Sequence, residues 1–355
     1  MTKNKLLSVF LHTILLIGAW GGVVNIQNGY AQEHKTQQQN PSVGSNDIEI
    51  EQCLLDKLKA ANGRTLVSKI RQECVFQVHN NLDQQGVLAK RILGEHATKF
   101  DQFVITPHRR NYVLPVLFTD RSNRDVYLAL DPAWSKNIED IEAKYQLSIK
   151  VPLNYDSIFT QYDSLNFAIT LQSWWQVYSS EISKPFRETN YQPEIFYFAP
   201  LQWKPFGANL AYTIGIEHQS NGRSTAISRS WNRVYASLIW NVGNWAFQFK
   251  PWYRLEESKK SKPTDADGDD NPDINDYMGY FQLGGAYKYD TLEVSFTLRE
   301  NFATHKGALE LGLTFPMWGK LRGYAQLFTG YGESLIDYDH KQNRFGIGIT
   351  LTDIL

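Results

Sequence analysis

The sequence predicts an all-β protein: an antiparallel transmembrane β-barrel of the outer membrane, with a small N-terminal helical, disulfide-tied extension. Three observations carry this. The N-terminus has the layout of an export signal, apolar and polar residues alternate with period two through most of the chain, and aromatics are abundant, with 10 Trp, 19 Tyr and 19 Phe in 355 residues. Alternation places one face of each strand in lipid and the other in the lumen, and aromatics gather at membrane interfaces.

The elements follow in chain order. Lys3 and Lys5 precede an apolar run from Leu6 to Val24, and Gly29-Tyr30-Ala31 offers a small-x-small cleavage site, so residues 1–31 are expected to be a signal peptide. The competing assignment, a retained helical anchor, is weakened by Gly18, Gly21 and Gly22 inside the run. Residues 32–101 form an extension, expected to lie in the periplasm, that starts with a polar leader and continues as a helical hairpin broken at Asn62-Gly63. It contains the chain's two cysteines, Cys53 and Cys74. An oxidising export compartment favours their pairing, and two buried free thiols are the alternative.

Residues 102–355 are assigned to the barrel. In AKYQLSIKVPL, Ala143, Tyr145, Leu147, Ile149, Val151 and Leu153 alternate with Lys144, Gln146, Ser148 and Lys150. The same period runs through Trp245, Phe247 and Phe249, through Leu309, Leu311 and Leu313, and through Phe345, Ile347 and Ile349. About a dozen such segments recur, each near the roughly 9–11 residues of a tilted membrane strand. A soluble β-sandwich produces similar alternation, but a final strand that stays apolar at alternate positions to the chain end favours the barrel. The formal net charge of -1 lacks the basic excess expected of a nucleic-acid binder.

Parity singles out one hairpin, GIEHQSNGRSTAISRSWNRVY, Gly215 to Tyr235. On its first strand His218 and Ser220 share the apolar face with Ile214 and Ile216, while Glu217 and Gln219 face the other way. On its second, Asn232 lies with Val234, Ala236 and Leu238. Symmetric pairing sets His218 opposite Asn232 and Glu217 opposite Arg233, and the same register satisfies both pairs. A serine needs a base to take its proton, and the base needs a third group to hold its tautomer. Ser220 as nucleophile, His218 as base and Asn232 as orienting group meet that requirement, and a neutral amide costs less beside lipid than a carboxylate. The plainer alternative is three polar side chains solvated in the headgroup zone.

The blocks His218-Gln219-Ser220-Asn221-Gly222-Arg223-Ser224 and Ser228-Arg229-Ser230-Trp231-Asn232-Arg233 resemble the signature of the outer membrane phospholipase A family. So do Ser173-Trp174-Trp175-Gln176, Lys250-Pro251-Trp252-Tyr253, Asp270-Asn271-Pro272-Asp273 and the run from Gly330 to Tyr338. The resemblance implies a 12-stranded barrel that hydrolyses acyl esters of phospholipids and lysophospholipids (A1, A2 and lysophospholipase activity). It implies the roles just given to Ser220, His218 and Asn232. It implies Ca2+, held by the Arg223 backbone carbonyl, Ser228 and Ser183 of the partner subunit in an active homodimer that responds to loss of membrane asymmetry. Thr225 and Leu171 depart from the pattern, the first at a second calcium site and the second in the dimer seam, and Leu355 replaces the usual terminal aromatic.

The function classes in play are therefore a calcium-dependent phospholipase and a passive outer-membrane pore or structural barrel. A secreted soluble lipase lacks its G-x-S-x-G elbow here. The acidic stretch Asp265 to Asp276 does not fit an EF-hand loop and is expected to be solvated, and His108, His305 and His340 lack ligand spacing. A non-reducing peptide map is expected to join Cys53 to Cys74, and free thiols in exported protein would defeat that pairing.

Overall fold

The computed structural model describes residues 45–61, 67, 70–71, 73–74, 87–88, 91–92, 94–95 and 105–351, apart from 129, 155–156, 263–264, 266 and 320. The expected signal peptide, the break at Asn62-Gly63 and Leu355 lie outside these. Helix α1, Ser45–Ala60, carries Cys53, which is disulfide-bonded to Cys74 across a Cα–Cα distance of 5.6 Å. Val67, Ile70, Arg71, Glu73 and Cys74 are also helical, and Lys57 reaches Glu73 at 3.1 Å, so the expected tie between two helical stretches is present.

Twelve strands close the barrel. They are β1 (Tyr112–Thr119), β2 (Ile141–Pro152), β3 (Ser164–Trp175), β4 (Phe186–Leu201), β5 (Asn209–Ser220), β6 (Ser230–Val242) and β7 (Trp245–Leu255). The second group is β8 (Phe281–Tyr289), β9 (Leu292–Asn301), β10 (Lys306–Trp318), β11 (Leu321–Gly330) and β12 (Gln342–Thr350). Each pairs antiparallel with its sequence neighbours, and β12 pairs back onto β1, so no edge is left for lipid to meet. The loops β1–β2, β3–β4, β5–β6, β7–β8 and β11–β12 gather at one rim, where α2 (Pro132–Asn137) and α3 (Ile274–Met278) sit. Tight turns such as Val242–Trp245 and Tyr289–Leu292 close the other.

The parity expected from sequence governs which side chains meet lipid. Leu147, Ile195, Ile214, Ile216, Leu238, Leu311, Leu327, Phe345 and Ile347 are exposed outward, whereas Glu142, Lys144, Thr170, Glu194, Glu217, Arg233 and Arg344 are buried inward. Inward charges are paired. Lys144 Nζ lies 3.0 Å from Glu333, Lys250 Nζ 2.9 Å from Glu217, and Arg233 2.9 Å from the same carboxylate. Near the turn rim Lys150 Nζ meets Glu95, from the extension, at 2.7 Å. Glu310 lines a cavity of about 510 Å³ shared with Lys144, Glu194 and Arg299. Arg322 donates to the Thr291 carbonyl. Pairing spares Lys144, Lys150, Glu217, Arg233 and Lys250 an unmatched burial.

The loop rim is locked by a second network. Arg187 Nε lies 2.9 Å from Glu142 and Arg187 Nη1 lies 2.9 Å from Asp337 in the β11–β12 loop, while Arg344 pairs with both Glu142 and Glu333. Above it Tyr127, Ile138, Ile182, Ile227 and Ile336, from four loops, form one apolar cluster. The acidic stretch 265–276 departs from the solvated loop expected. Asp269 is ion-paired with buried Arg254 and Asp270 with Lys260, Asn271 and Ile274 are buried, and Asp273 accepts from Tyr338. Composition hid this, because which side chains meet depends on how the loop folds back on Arg254 and Lys260 and packs against Tyr338 of the β11–β12 loop.

Glu142→Gln would leave Arg187 and Arg344 short of a buried counter-charge, a loss of about 3–5 kcal/mol. The expected result is a lower temperature for the heat-modifiable gel shift of the folded barrel. Burial by itself pushes the Asp337 carboxyl up, but Arg187 and Ser334 outweigh it and hold the group below its ordinary value. Its stabilising contribution is thus present above the ordinary aspartate value of 3.8 and is lost as pH falls through the lower folded value. Asp337→Asn should lower stability at neutral pH and flatten that acid dependence.

Candidate active site

The hairpin β5–β6 has the register that parity predicts: His218 pairs with Asn232 and Glu217 with Arg233. On the lipid side His218 Nδ1 lies 2.8 Å from Asn232 Oδ1. On the lumen side Glu217 joins Arg233, Lys250 and Arg109, and Gln192 Nε2 donates to it at 2.7 Å. Arg233 also stacks over Trp231, 3.8 Å from the ring centroid, and Trp231 is fully buried. An apolar and ionic interior thus fixes the strand whose other face carries the imidazole and the amide.

Ser220 ends β5, two residues beyond His218 on the same face. Among the described residues its hydroxyl makes no hydrogen bond to His218, and the two are brought together by the strand alone. Cross-strand pairing builds a row through Ser220: Leu147 faces Leu171, Leu171 faces Tyr191, Tyr191 faces Ser220, and Ser220 faces Ser230. The hydroxyl therefore stands at the end of an outward patch of Leu147, Leu171 and Tyr191. Parity along β5 and β6 did not reveal Tyr191, because that neighbour lies on β4.

The β5–β6 loop is pinned by Asn221, a buried residue. Its Oδ1 accepts from the backbone N–H of Arg223 (3.2 Å) and Arg229 (3.0 Å), and its Nδ2 donates to the Ile227 carbonyl at 2.8 Å. Gly222 has φ +60°, and a Cβ there would lie 3.3 Å from the Tyr191 ring. Glycine satisfies both the left-handed backbone and the close ring.

The expected cation ligands fall in this loop and its neighbour. Ser228 Oγ donates to Asp270 Oδ2 at 2.6 Å, which commits its proton and leaves its lone pairs for a cation. Arg223 donates from its guanidinium to the Phe186 and Arg187 carbonyls, each at 3.0 Å, tying this loop to β4. Ser183 is exposed in the β3–β4 loop with φ 56°, next to buried Ile182, just as Ser228 follows buried Ile227 in the same apolar cluster. The donors are oxygens, the type that Ca2+ takes. Among the described residues no group of three His, Cys, Asp or Glu could hold a metal ion. Sequence reading also missed Glu257, whose Oε1 accepts from Asn232 Nδ2 at 2.8 Å. The clue was its place two residues past Leu255, the register partner of Asn232.

The family profile described as Phospholipase A1 matches residues 88–351. Phospholipase A1 of Escherichia coli (strain K12) is 37% identical over 285 residues, spanning 80% of this chain and 93% of that protein. Phospholipase A1 of Salmonella typhimurium is 36% identical over 303 residues, or 85% of this chain and 99% of that one. Outer membrane phospholipase A from E. coli, solved with an asparagine-to-alanine substitution in its active site, superposes with a TM-score of 0.68 at 37% identity, over 77% of this chain and 99% of that chain. The calcium-bound dimer of the Salmonella typhi outer membrane phospholipase gives a TM-score of 0.68 at 37% identity, over 76% and 99%.

Asn221→Ala removes hydrogen bonds that close the loop, worth about 1–3 kcal/mol where a buried partner is left unsatisfied. Trypsin should then cut after Arg223 or Arg229 about tenfold faster or more under native conditions, with the barrel still intact by gel shift. An unchanged cleavage rate would show that the loop is held elsewhere.

Proposed function

This chain belongs to the phospholipase A1 family and is an outer-membrane phospholipase, an ester hydrolase; from that premise we propose that Ser220, His218 and Asn232 are its catalytic triad. The observation that carries this is the 2.8 Å contact of His218 Nδ1 with Asn232 Oδ1 on the lipid-facing wall, in strand register with Ser220. A passive pore or structural barrel is set aside by the family membership. The active-site asparagine of the E. coli relative supports the role given to Asn232.

In the proposed reaction Asn232 Oδ1 accepts the Nδ1 proton of His218, so the Nε2 lone pair serves as the base. Ser220 Oγ attacks the ester carbonyl while His218 takes its proton, and His218 returns that proton to the departing alkoxide of the lipid. A water molecule, deprotonated by the same imidazole, then attacks the acyl ester on Ser220, and His218 returns that proton to the departing Ser220 Oγ as the fatty acid is freed. Because the nucleophile faces outward, the substrate reaches it from the membrane plane, with acyl chains along Leu147, Leu171 and Tyr191. We extend the substrates to both acyl positions and to lysophospholipids, since an open wall does not enclose a second chain.

The oxygen donors fit Ca2+, with Arg223 (carbonyl) and Ser228 from one protomer and Ser183 of the partner subunit holding it. When bound, Ca2+ supplies positive charge against the oxyanion that develops at the ester carbonyl. The exposed position of Ser183 and the calcium-bound dimer of the Salmonella typhi relative support this homodimer. Thr225 lacks a carboxylate for a second cation, and Asp270 is already engaged by Ser228 and Lys260. Glu95 on Lys150 and the Leu88 amide on Asn241, both near the turn rim, support a periplasmic place for the extension of residues 32–101.

Fatty-acid release from phospholipid in detergent is the test. Ser220→Ala should lower kcat by on the order of a thousandfold or more, chelator should abolish release by wild type, and Ser228→Ala should raise the calcium concentration needed. Asn232→Ala should lose activity while the barrel keeps its heat-modifiable migration. Calcium-dependent release that persists in Ser220→Ala would remove Ser220 as the nucleophile.

A further inference from the structure

The catalytic row has a fourth member just past the end of the next strand. Asn232 pairs with Leu255, the last residue of β7, and Glu257 follows two residues later, where its side chain reaches Asn232. Asn232 Nδ2 donates to Glu257 Oε1 at 2.8 Å while Asn232 Oδ1 lies 2.8 Å from His218 Nδ1. The amide is therefore held from both ends, between an imidazole and a carboxylate.

That arrangement solves a problem an asparagine poses and an aspartate does not. The two ends of an amide have nearly the same shape but opposite hydrogen-bonding character. With the amide turned over, Nδ2 would donate to the imidazole, Nδ1 would have to accept, and the ring proton would sit on Nε2. That tautomer presents an N–H to Ser220 and cannot take its proton. A carboxylate is an acceptor only. Placed against Asn232 it permits one orientation: Nδ2 toward Glu257 and Oδ1 toward His218. Its charge strengthens that hydrogen bond over a neutral one. Location supports the same role. Leu255 and Tyr253, lower on the same strand face, are exposed toward lipid, so a carboxylate just above them gains from a fixed polar partner.

We infer that Glu257 is a positioning residue that fixes the side-chain amide of Asn232 and, through it, the tautomer of His218 that accepts the proton of Ser220. This rests on the triad proposed above. Glu257 does not touch the reacting atoms; its action passes through Asn232.

The test is a double-mutant cycle on the full chain, with phospholipid hydrolysis read as kcat and KM at saturating calcium. Glu257→Ala should lower kcat about ten- to a hundredfold, the loss of a charge-assisted hydrogen bond, with KM unchanged. Glu257→Gln, which keeps an acceptor oxygen, should recover most of that loss. In an Asn232→Ala background, Glu257→Ala should have no further effect, because the group it positions is gone. An effect of equal size in both backgrounds, a rise in KM alone, or no loss in Glu257→Ala would each overturn the inference. Failure of the triad itself is distinguishable: Ser220→Ala or Asn232→Ala would then keep wild-type kcat regardless of what stands at 257.

Discussion

One strand register decides which polar groups of this protein face lipid and which face the lumen. In β5–β6 the pairing that faces Glu217 with Arg233 inside the barrel is the pairing that faces His218 with Asn232 outside. A slip of one residue would turn every side chain of a strand to the opposite face. It would bury His218 in the lumen and push Glu217 into lipid, where an unpaired ion is costly. The ion cluster of Glu217 with Arg233, Lys250 and Arg109 thus does more than fill the lumen. It makes the wrong register expensive and so keeps the imidazole on the membrane side.

The same logic explains why the site is at a rim. Mid-wall, the outward face has to be apolar, and Ile214, Ile216, Val234 and Leu238 occupy it. Polar groups become tolerable where the wall leaves the hydrocarbon, and His218, Ser220, Ser230 and Asn232 sit where β5 ends and β6 begins. The loops beyond add what strands cannot. Asn221 closes the β5–β6 loop from within, and the cluster of Ile182, Ile227 and Ile336 sets the backbone of Ser183 and Ser228 on a common apolar base. Below it the Arg187–Glu142–Arg344–Glu333 chain ties strand walls to the β11–β12 loop, so the loops stand on a rigid polar lumen.

Much of this was legible in the chain. Period-two alternation in 143–153, 245–253 and 345–351 marked strands and told outward from inward, because a barrel wall has two solvents and each selects its own residues. Parity placed His218, Ser220 and Asn232 together on one face, and complementary pairs fixed their register. The disulfide between Cys53 and Cys74 followed from the compartment and the cysteine count.

Tertiary structure decided what depends on strands and loops that are neighbours in space only. Tyr191 lies beside Ser220 because β4 adjoins β5, and Ser228 bonds Asp270 across 42 residues. Glu257 reaches Asn232 from 25 residues away in the chain. The acidic stretch 265–276 was expected to be solvated, and Asp269, Asp270 and Asp273 are instead paired with Arg254, Lys260 and Tyr338. The physical reason is the range of the signal. Alternation and cross-strand pairing within a hairpin are local, so the sequence by itself determined the wall and the face of its polar triad. Closure of twelve strands and the packing of their loops are not local, and only they decided which carboxylates, rings and hydroxyls complete the site.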